Sequence, residues 1–335
     1  MKDTIKKGYE RYLVKAMGSM AFGLFCSVII SVVIEQFSNI SFLSFLKPMA
    51  AMAASKEAAG AAIGVAIAHG LGTKRLSMFA SAISGALGYV AGGPVSAFVC
   101  AVLGAEAGRF VEGKTPIDIA LVPFVVIIVG GVAANIVGPP ILAFMKALGS
   151  FINTAATLNP VLSGIIISSV MGLVLVSPLS SAALAISLEL SGLAAGASVI
   201  GCCVQMVGFA VISFKENGWG GVLAQGIGTA KLQLPNAMRH PAILLPTTIA
   251  SAILGPISSA VFGMTNNAMG AGMGSCSFVG QFCAWQTMSG SMQPGVLLFQ
   301  IILMHFVLPA LLSWGLYLCI KKTGWLKAGY MKLDL

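Results

Sequence analysis

Charge is what this 335-residue sequence has least of. Asp, Glu, Lys and Arg make up 9% of it, against about 25% in soluble domains. A chain that is 57% hydrophobic cannot shield its apolar surface from water with so thin a polar shell, so a soluble globular fold is excluded. Carboxylates and imidazoles are scarce as well, with 10 acidic residues and 3 histidines. No His/Cys/Asp/Glu cluster has metal-ligand spacing, so neither a metal nor a cofactor is expected. No P-loop is present. The run "GAGMG" at 270–274 lacks both the spacing and the strand–helix setting of a dinucleotide fingerprint. Pumping by nucleotide hydrolysis within this chain is therefore not expected. The cysteine count is odd, and the 7 cysteines (26, 100, 202, 203, 276, 283 and 319) are scattered through apolar runs. They read as buried, reduced thiols, and the adjacent pair Cys202–Cys203 is poorly placed to bridge.

What the sequence does have is apolar length. Its mean hydropathy is +0.95. At about 20 residues per crossing plus short loops, about ten membrane spans fit. The class is an all-α polytopic membrane protein. The net charge of +9 is concentrated at the ends: Lys2, Lys6, Lys7, Arg11 and Lys15 at one, Lys321, Lys322, Lys327 and Lys332 at the other. That is the positive-inside pattern rather than a nucleic-acid footprint. It predicts cytoplasmic termini and an even number of spans. The first 15 residues are charged and amphipathic, with no h-region and no cleavage site, so no removable signal is expected.

The spans read as about 13–36, then 40–70 interrupted at "KP" (47–48) and "SKE" (55–57), and 76–110 broken by "GGP" (92–94). A charged turn "EGKTPID" (112–118) precedes a clean span, 119–137, ending at Gly138-Pro139-Pro140. Further spans are expected over 161–176, 193–213, 242–262 and 294–319, with a polar loop at 213–221. "SPLSSAALAISLELSG" (177–192) is apolar but too short for a span of its own. Glycine pairs at small-xxx-small spacing, Gly60/Gly64 and Gly192/Gly196, favour close helix packing.

Two stretches break the rhythm, about 225–241 and 263–292. They are polar and rich in Gly and Pro where membrane is expected, and 263–292 is almost free of charge. Irregular backbone at membrane depth is tolerated where it lines a cavity or lies inside protein, and broken segments in transporters present dipoles to a solute. Both stretches read as re-entrant hairpins of the C-terminal half. Their amides, Asn266, Asn267, Gln281, Gln233 and Asn236, can each donate and accept. That suits a neutral polyhydroxylated ligand. His240, beside Arg239, is the best-placed histidine. His69 reads as interfacial and His305 as a packed residue of the last span. Glu189 is an ionisable residue inside an apolar segment and so a binding-site candidate. Lys231 and Arg239 would also suit an anion, so these residues alone leave a sugar and a small anion open.

Several longer stretches then carry a resemblance: "EGKTPIDIALVPFVVIIVGG" (112–131), "VGPPI" (137–141), "SSAALAISLELSGLAAGA" (180–197), "QMVGFAVISFKENGWGG" (205–221), "GTAKLQLPN" (228–236), "ASAILGP" (250–256) and "NNAMGAGMG" (266–274). The sequence resembles the membrane subunit IIC of the bacterial sugar phosphotransferase system, in the EIIC type 2 branch that includes a perfringolysin O regulator. The resemblance implies a homodimeric permease of the bacterial cytoplasmic membrane with about ten helices. An N-terminal half (1–150) would dimerise. A C-terminal half (151–335) would bind a sugar-like solute with two re-entrant hairpins and move it by alternating access. Phosphorylation would need separate IIA and IIB proteins, since no soluble domain is fused. The family's sugar-holding glutamate lies in a motif like G-I-T-E-P. The nearest string here is "GMTNN" (263–267), which puts Asn266 at the carboxylate position. An amide holds a hydroxyl but cannot take its proton, so no catalytic carboxylate is evident. A permease-derived membrane sensor or regulator, and a transporter of an unmodified solute, are the alternatives.

Overall fold

The computed structural model describes residues 7–38 and 41–333. Lys2 and Lys6 of the basic N-terminal cluster lie outside them. Among the described residues the chain is built of helices, with one isolated bridge and no strand. Six helices are long and apolar enough to cross a membrane: Tyr9–Ile29, Arg75–Val111, Asp118–Ala156, Gly192–Ile212, Pro241–Val261 and Pro294–Lys322. A seventh is added if Ser41–Ala54 and Lys56–Gly70, bent by 58°, count as one. The count differs from the expected ten partly because two helices have 37 and 39 residues. At 1.5 Å per residue each runs well beyond the roughly 30 Å apolar layer of a bilayer.

The chain divides into two compact units, Met1–Phe144 and Met145–Leu335. In the first, Ser55 breaks the bent pair by serving as an N-cap, its Oγ accepting from Ala58 N at 3.2 Å. Lys56–Gly70 then lies against Arg75–Val111 in backbone-to-backbone contact. A Cβ on Gly60 would come 2.6 Å from Gly85 O, and one on Gly64 would collide with Ser81 O. The Gly60/Gly64 spacing is thus a packing surface. Arg75–Val111 is interrupted at Gly92 and Gly93, the latter at φ +73, as "GGP" suggested. Arg11 ties the first helix down, its guanidinium paired with Glu106 at 2.5 Å and donating to Leu71 O at 3.0 Å.

Two expected boundaries differ. The span expected to stop at Gly138-Pro139-Pro140 continues to Ala156 with both prolines inside. Proline removes a backbone donor but is tolerated in membrane helices, where packing re-satisfies the freed carbonyls. The expected loop at 213–221 is also helical, Phe214–Leu223, with its break confined to Gly218 at φ +58.

The second unit is organised around Gly192–Ile212, the most deeply buried of the long helices. Val199, Ile200, Cys203 and Val204 pack there against Leu254, Met264 and their neighbours from later segments. Burying side chains of this size contributes roughly 1.5–3 kcal/mol each where water is displaced. The described cysteines are all free thiols, five of them buried.

Candidate functional site

Two interrupted segments of the second unit meet at their turns. The first is a seven-residue helix, Ser181–Ser187, capped by Ser180 Oγ, which accepts from Ala183 N at 3.2 Å. It ends in a turn where Glu189 takes a left-handed φ of +49 and Gly192 one of +57. A non-glycine residue in that region is uncommon and marks a conformation held by its surroundings. Glu189 is exposed. The second segment begins at Gly263, φ +56, and enters the four-residue helix Ala268–Ala271. Asn267 caps that helix by accepting from Gly270 N at 3.0 Å.

The segments are joined by the bridge between Gly192 and Asn266, with Asn266 N donating to Gly192 O at 3.2 Å. Ser181 Oγ donates to Gly272 O at 2.7 Å and Ser198 Oγ to Ala271 O at 2.6 Å. These serines satisfy carbonyls that a four-residue helix leaves open. The approach requires small residues: a Cβ on Gly196 would collide with Met264 O, and one on Gly272 with Ser181 O.

Asn266 is 1% exposed and engaged on both sides. Its Nδ2 donates to Gly280 O at 2.9 Å, and its Oδ1 accepts from Asn267 N at 2.9 Å. It braces the loop between the two halves of 263–292. Asn267 is half-buried beside it. Gln281, one residue beyond the braced Gly280, lies against Cys203 and His305.

Gln233, Asn236 and His240 lie elsewhere, in a run of short helical turns over 224–244. The structure commits all three to the chain's own C-terminal tail. Gln233 Nε2 donates to Gln225 Oε1 at 2.8 Å and to Met331 O at 2.9 Å, and its Oε1 accepts from Asn236 Nδ2 at 2.8 Å. Asn236 Nδ2 also donates to Lys332 O at 2.8 Å. The His240 ring stacks on Tyr330 at 3.7 Å between centroids. The same tail donates from Gly329 N and Met331 N to the two carboxylate oxygens of Glu216, at 3.0 and 2.9 Å. Asn217 Nδ2 donates to Met331 O and its Oδ1 accepts from Leu333 N, both at 2.8 Å. Both Nε2 hydrogens of Gln233 are used, so it has no donor left for a solute while the tail is bound. Lys231 Nζ donates to the carbonyls of Ser177 and Leu179, both at 2.6 Å, and so anchors the start of the Ser181–Ser187 segment.

The tail clamp makes a direct prediction. Deleting residues 329–335 strips partners from Glu216, Asn217, Gln233 and Asn236 and removes Met331, which is 1% exposed. One buried methionine and several hydrogen bonds together amount to a loss of order 3 kcal/mol. That should lower the thermal unfolding midpoint in detergent by about 6–12 °C. A truncated protein that melts with the full chain would contradict the clamp.

Fold and site together define a helical, multi-pass membrane protein whose second unit brings two broken segments into contact. The chain belongs to the phosphotransferase system EIIC family, whose family model matches residues 14–333. It is thus a membrane permease component of that system. No curated protein and no solved structure matches the chain.

Proposed function

We propose that this protein carries a neutral, sugar-like solute across the bacterial cytoplasmic membrane, binding it in the second unit where the turns at 188–192 and 263–267 face each other. The observation that carries the reading is the Gly192–Asn266 bridge. It joins two interrupted segments that bear Glu189, Asn267 and Gln281, in a chain of the EIIC family. In this reading 263–292 is one re-entrant hairpin, 177–192 takes the place expected of 225–241 as the other, and the unit alternates between inward- and outward-open states. Glu189 and Asn267 contact hydroxyls directly, and Asn266 positions Gln281. Gln233, Asn236 and His240 contribute by anchoring the tail. The first unit dimerises, and both termini face the cytoplasm.

Phosphorylation is coupled only where separate IIA and IIB proteins supply the phosphoryl group. The acidic residues after position 145 are Glu189, Glu216 and Asp334. Glu216 holds the tail, and Asp334 lies outside the described residues. Glu189 is therefore the carboxylate proposed to accept a proton from a sugar hydroxyl. The amide at Asn266 favours a second reading, a solute sensor that uses the same site without group transfer.

The test is a thermal-shift screen of purified protein against hexoses, hexitols and small organic acids, followed by incubation of the hits with phosphorylated IIB proteins. A solute at 100 times its Kd stabilises the native state by about 2.7 kcal/mol, an upward shift of about 5–10 °C. A shift with organic acids alone would refute the neutral-solute reading. Binding without phosphoryl transfer would favour the sensor or the transporter of unmodified solute.

A further inference from the structure

Just past the braced loop, Ser277 and Phe278 both hold left-handed backbone, at φ +47 and +59. Two consecutive side-chain-bearing residues in this region are strained, and such strain persists only where the surroundings impose it. The turn aims the helix Val279–Met288 at the last long apolar helix. Phe278 lies 6.1 Å from Phe306 between ring centroids. Gln281 Nε2 lies 3.0 Å from His305 Nδ1 and 3.4 Å from Cys203 Sγ. His305 occupies a single π-helical turn, Leu303–Val307, an irregularity that recurs at functional positions. His305 is 0% exposed and Gln281 8%. Yet Gln281 Oε1 and His305 Nε2 have no protein partner, and neither does Ser277 Oγ. Burying such groups unpaired is costly, and each calls for an explanation.

Hydrogen-bond counting narrows what fits. If the Gln281 amide nitrogen donates to Nδ1, the ring proton sits on Nε2, leaving one donor on the ring and one acceptor on the amide. If the amide is turned over, Nδ1–H donates to the amide oxygen. The ring then offers an acceptor and the amide a donor. Either assignment leaves donor and acceptor capacity together, one at the ring and the other at the amide, on opposite sides of their shared hydrogen bond. A cation would need acceptors only, and an anion donors only. The hydroxyls of a polyol each offer both functions, so one can meet the ring nitrogen and another the amide.

We propose that Gln281 and His305 form a hydroxyl-binding subsite that takes two hydroxyls of a neutral polyhydroxylated solute, one at His305 Nε2 and one at the free end of the Gln281 amide. The proposal rests on the reading of the protein as a carrier or sensor of such a solute. It adds a histidine of the last apolar helix to the binding set. An ordered water has the same chemistry, so the experiment distinguishes the two sources.

The full-length protein is purified in detergent and screened with hexoses and hexitols. Each compound that binds is compared with its single-deoxy analogues, on the wild type and on Gln281→Leu/His305→Phe. Replacing both partners by apolar groups removes the unpaired atoms together, so this double variant retains the fold. If it does not, Gln281→Met, which deletes only the amide, takes its place. One deoxy analogue is expected to bind the wild type about ten- to thirty-fold more weakly than its parent, as expected for losing one hydrogen bond and leaving its buried partner unpaired. The same analogue should bind the variant as well as the parent does. Equal discrimination among analogues by wild type and variant would overturn the subsite, assign the pair to water, and leave the carrier reading intact. If no hexose or hexitol binds the wild type, the carrier reading fails and the subsite fails with it.

Discussion

Replacing Asn266 by Asp will destabilise this protein more than replacing it by Ala, although Asp is the closer match in shape. Asn266 is buried and donates through Nδ2 to Gly280 O at 2.9 Å. Alanine leaves that carbonyl and Asn267 N without partners, at a cost of about 1–3 kcal/mol. A carboxylate has no donor. It would place negative charge against a carbonyl oxygen in a site that excludes water, raising the cost to about 3–5 kcal/mol. The family resemblance sets a carboxylate at this position, so Asn266→Asp also tests whether restoring it restores group transfer. The expected answer is no, because the loop at Gly280 needs the amide's hydrogen. Thermal unfolding in detergent of the wild type and both variants reads the order directly. An Asp variant as stable as the wild type would show that the brace is dispensable.

A second large effect is expected at Gly196. The helix Gly192–Ile212 meets the turn at Met264 through this glycine, where even a Cβ would collide with Met264 O. Its obstacle is backbone, which cannot change rotamer. Gly196→Ala should cost about 3 kcal/mol or more by overpacking against backbone and weaken solute binding, since the two turns can no longer close on each other. Gly196→Leu should not accumulate as folded protein. Gly192 provides the contrast. It has φ +57 with nothing within 4 Å of its Cβ position, so Gly192→Ala carries only backbone strain of about 1–2 kcal/mol. Expression and melting of the three variants give the comparison, and equal behaviour of Gly192→Ala and Gly196→Ala would contradict the close approach.

Most of the helical framework was legible in the sequence because hydropathy and glycine spacing report on burial locally. The helix expected over 161–176 is Pro160–Val176, though at 17 residues it is not among the six long enough to cross, and Gly60/Gly64 reported a contact whose partner helix follows almost at once. The irregular backbone at 263–278 was legible in the same way, through amides and glycines in an apolar setting. The tail clamp was not. Gln233 and Met331 are 98 residues apart, and a tail read through main-chain carbonyls and amides leaves no side-chain pattern to detect. An inventory of hydrogen-bonding amides describes a sugar and a peptide backbone equally well. His305 was hidden for a related reason. A lone histidine in an apolar run looks the same whether its ring is satisfied or left with one nitrogen unpaired. Pro139-Pro140 misled because proline's helix-breaking strength in water does not carry over to helices packed in a membrane.

The central claim is that the solute sits where the turns at 188–192 and 263–267 meet, and thiol protection at Glu189 tests it most directly. Glu189→Cys is introduced into a background lacking the exposed thiols, Cys26→Ser/Cys319→Ser, with Trp219→Cys as an exposed control outside the site. Maleimide labelling is followed as the concentration of a bound hexose or hexitol rises. The account predicts that labelling at position 189 slows in step with solute occupancy while labelling at 219 does not change. A solute that binds yet leaves position 189 fully reactive would contradict it.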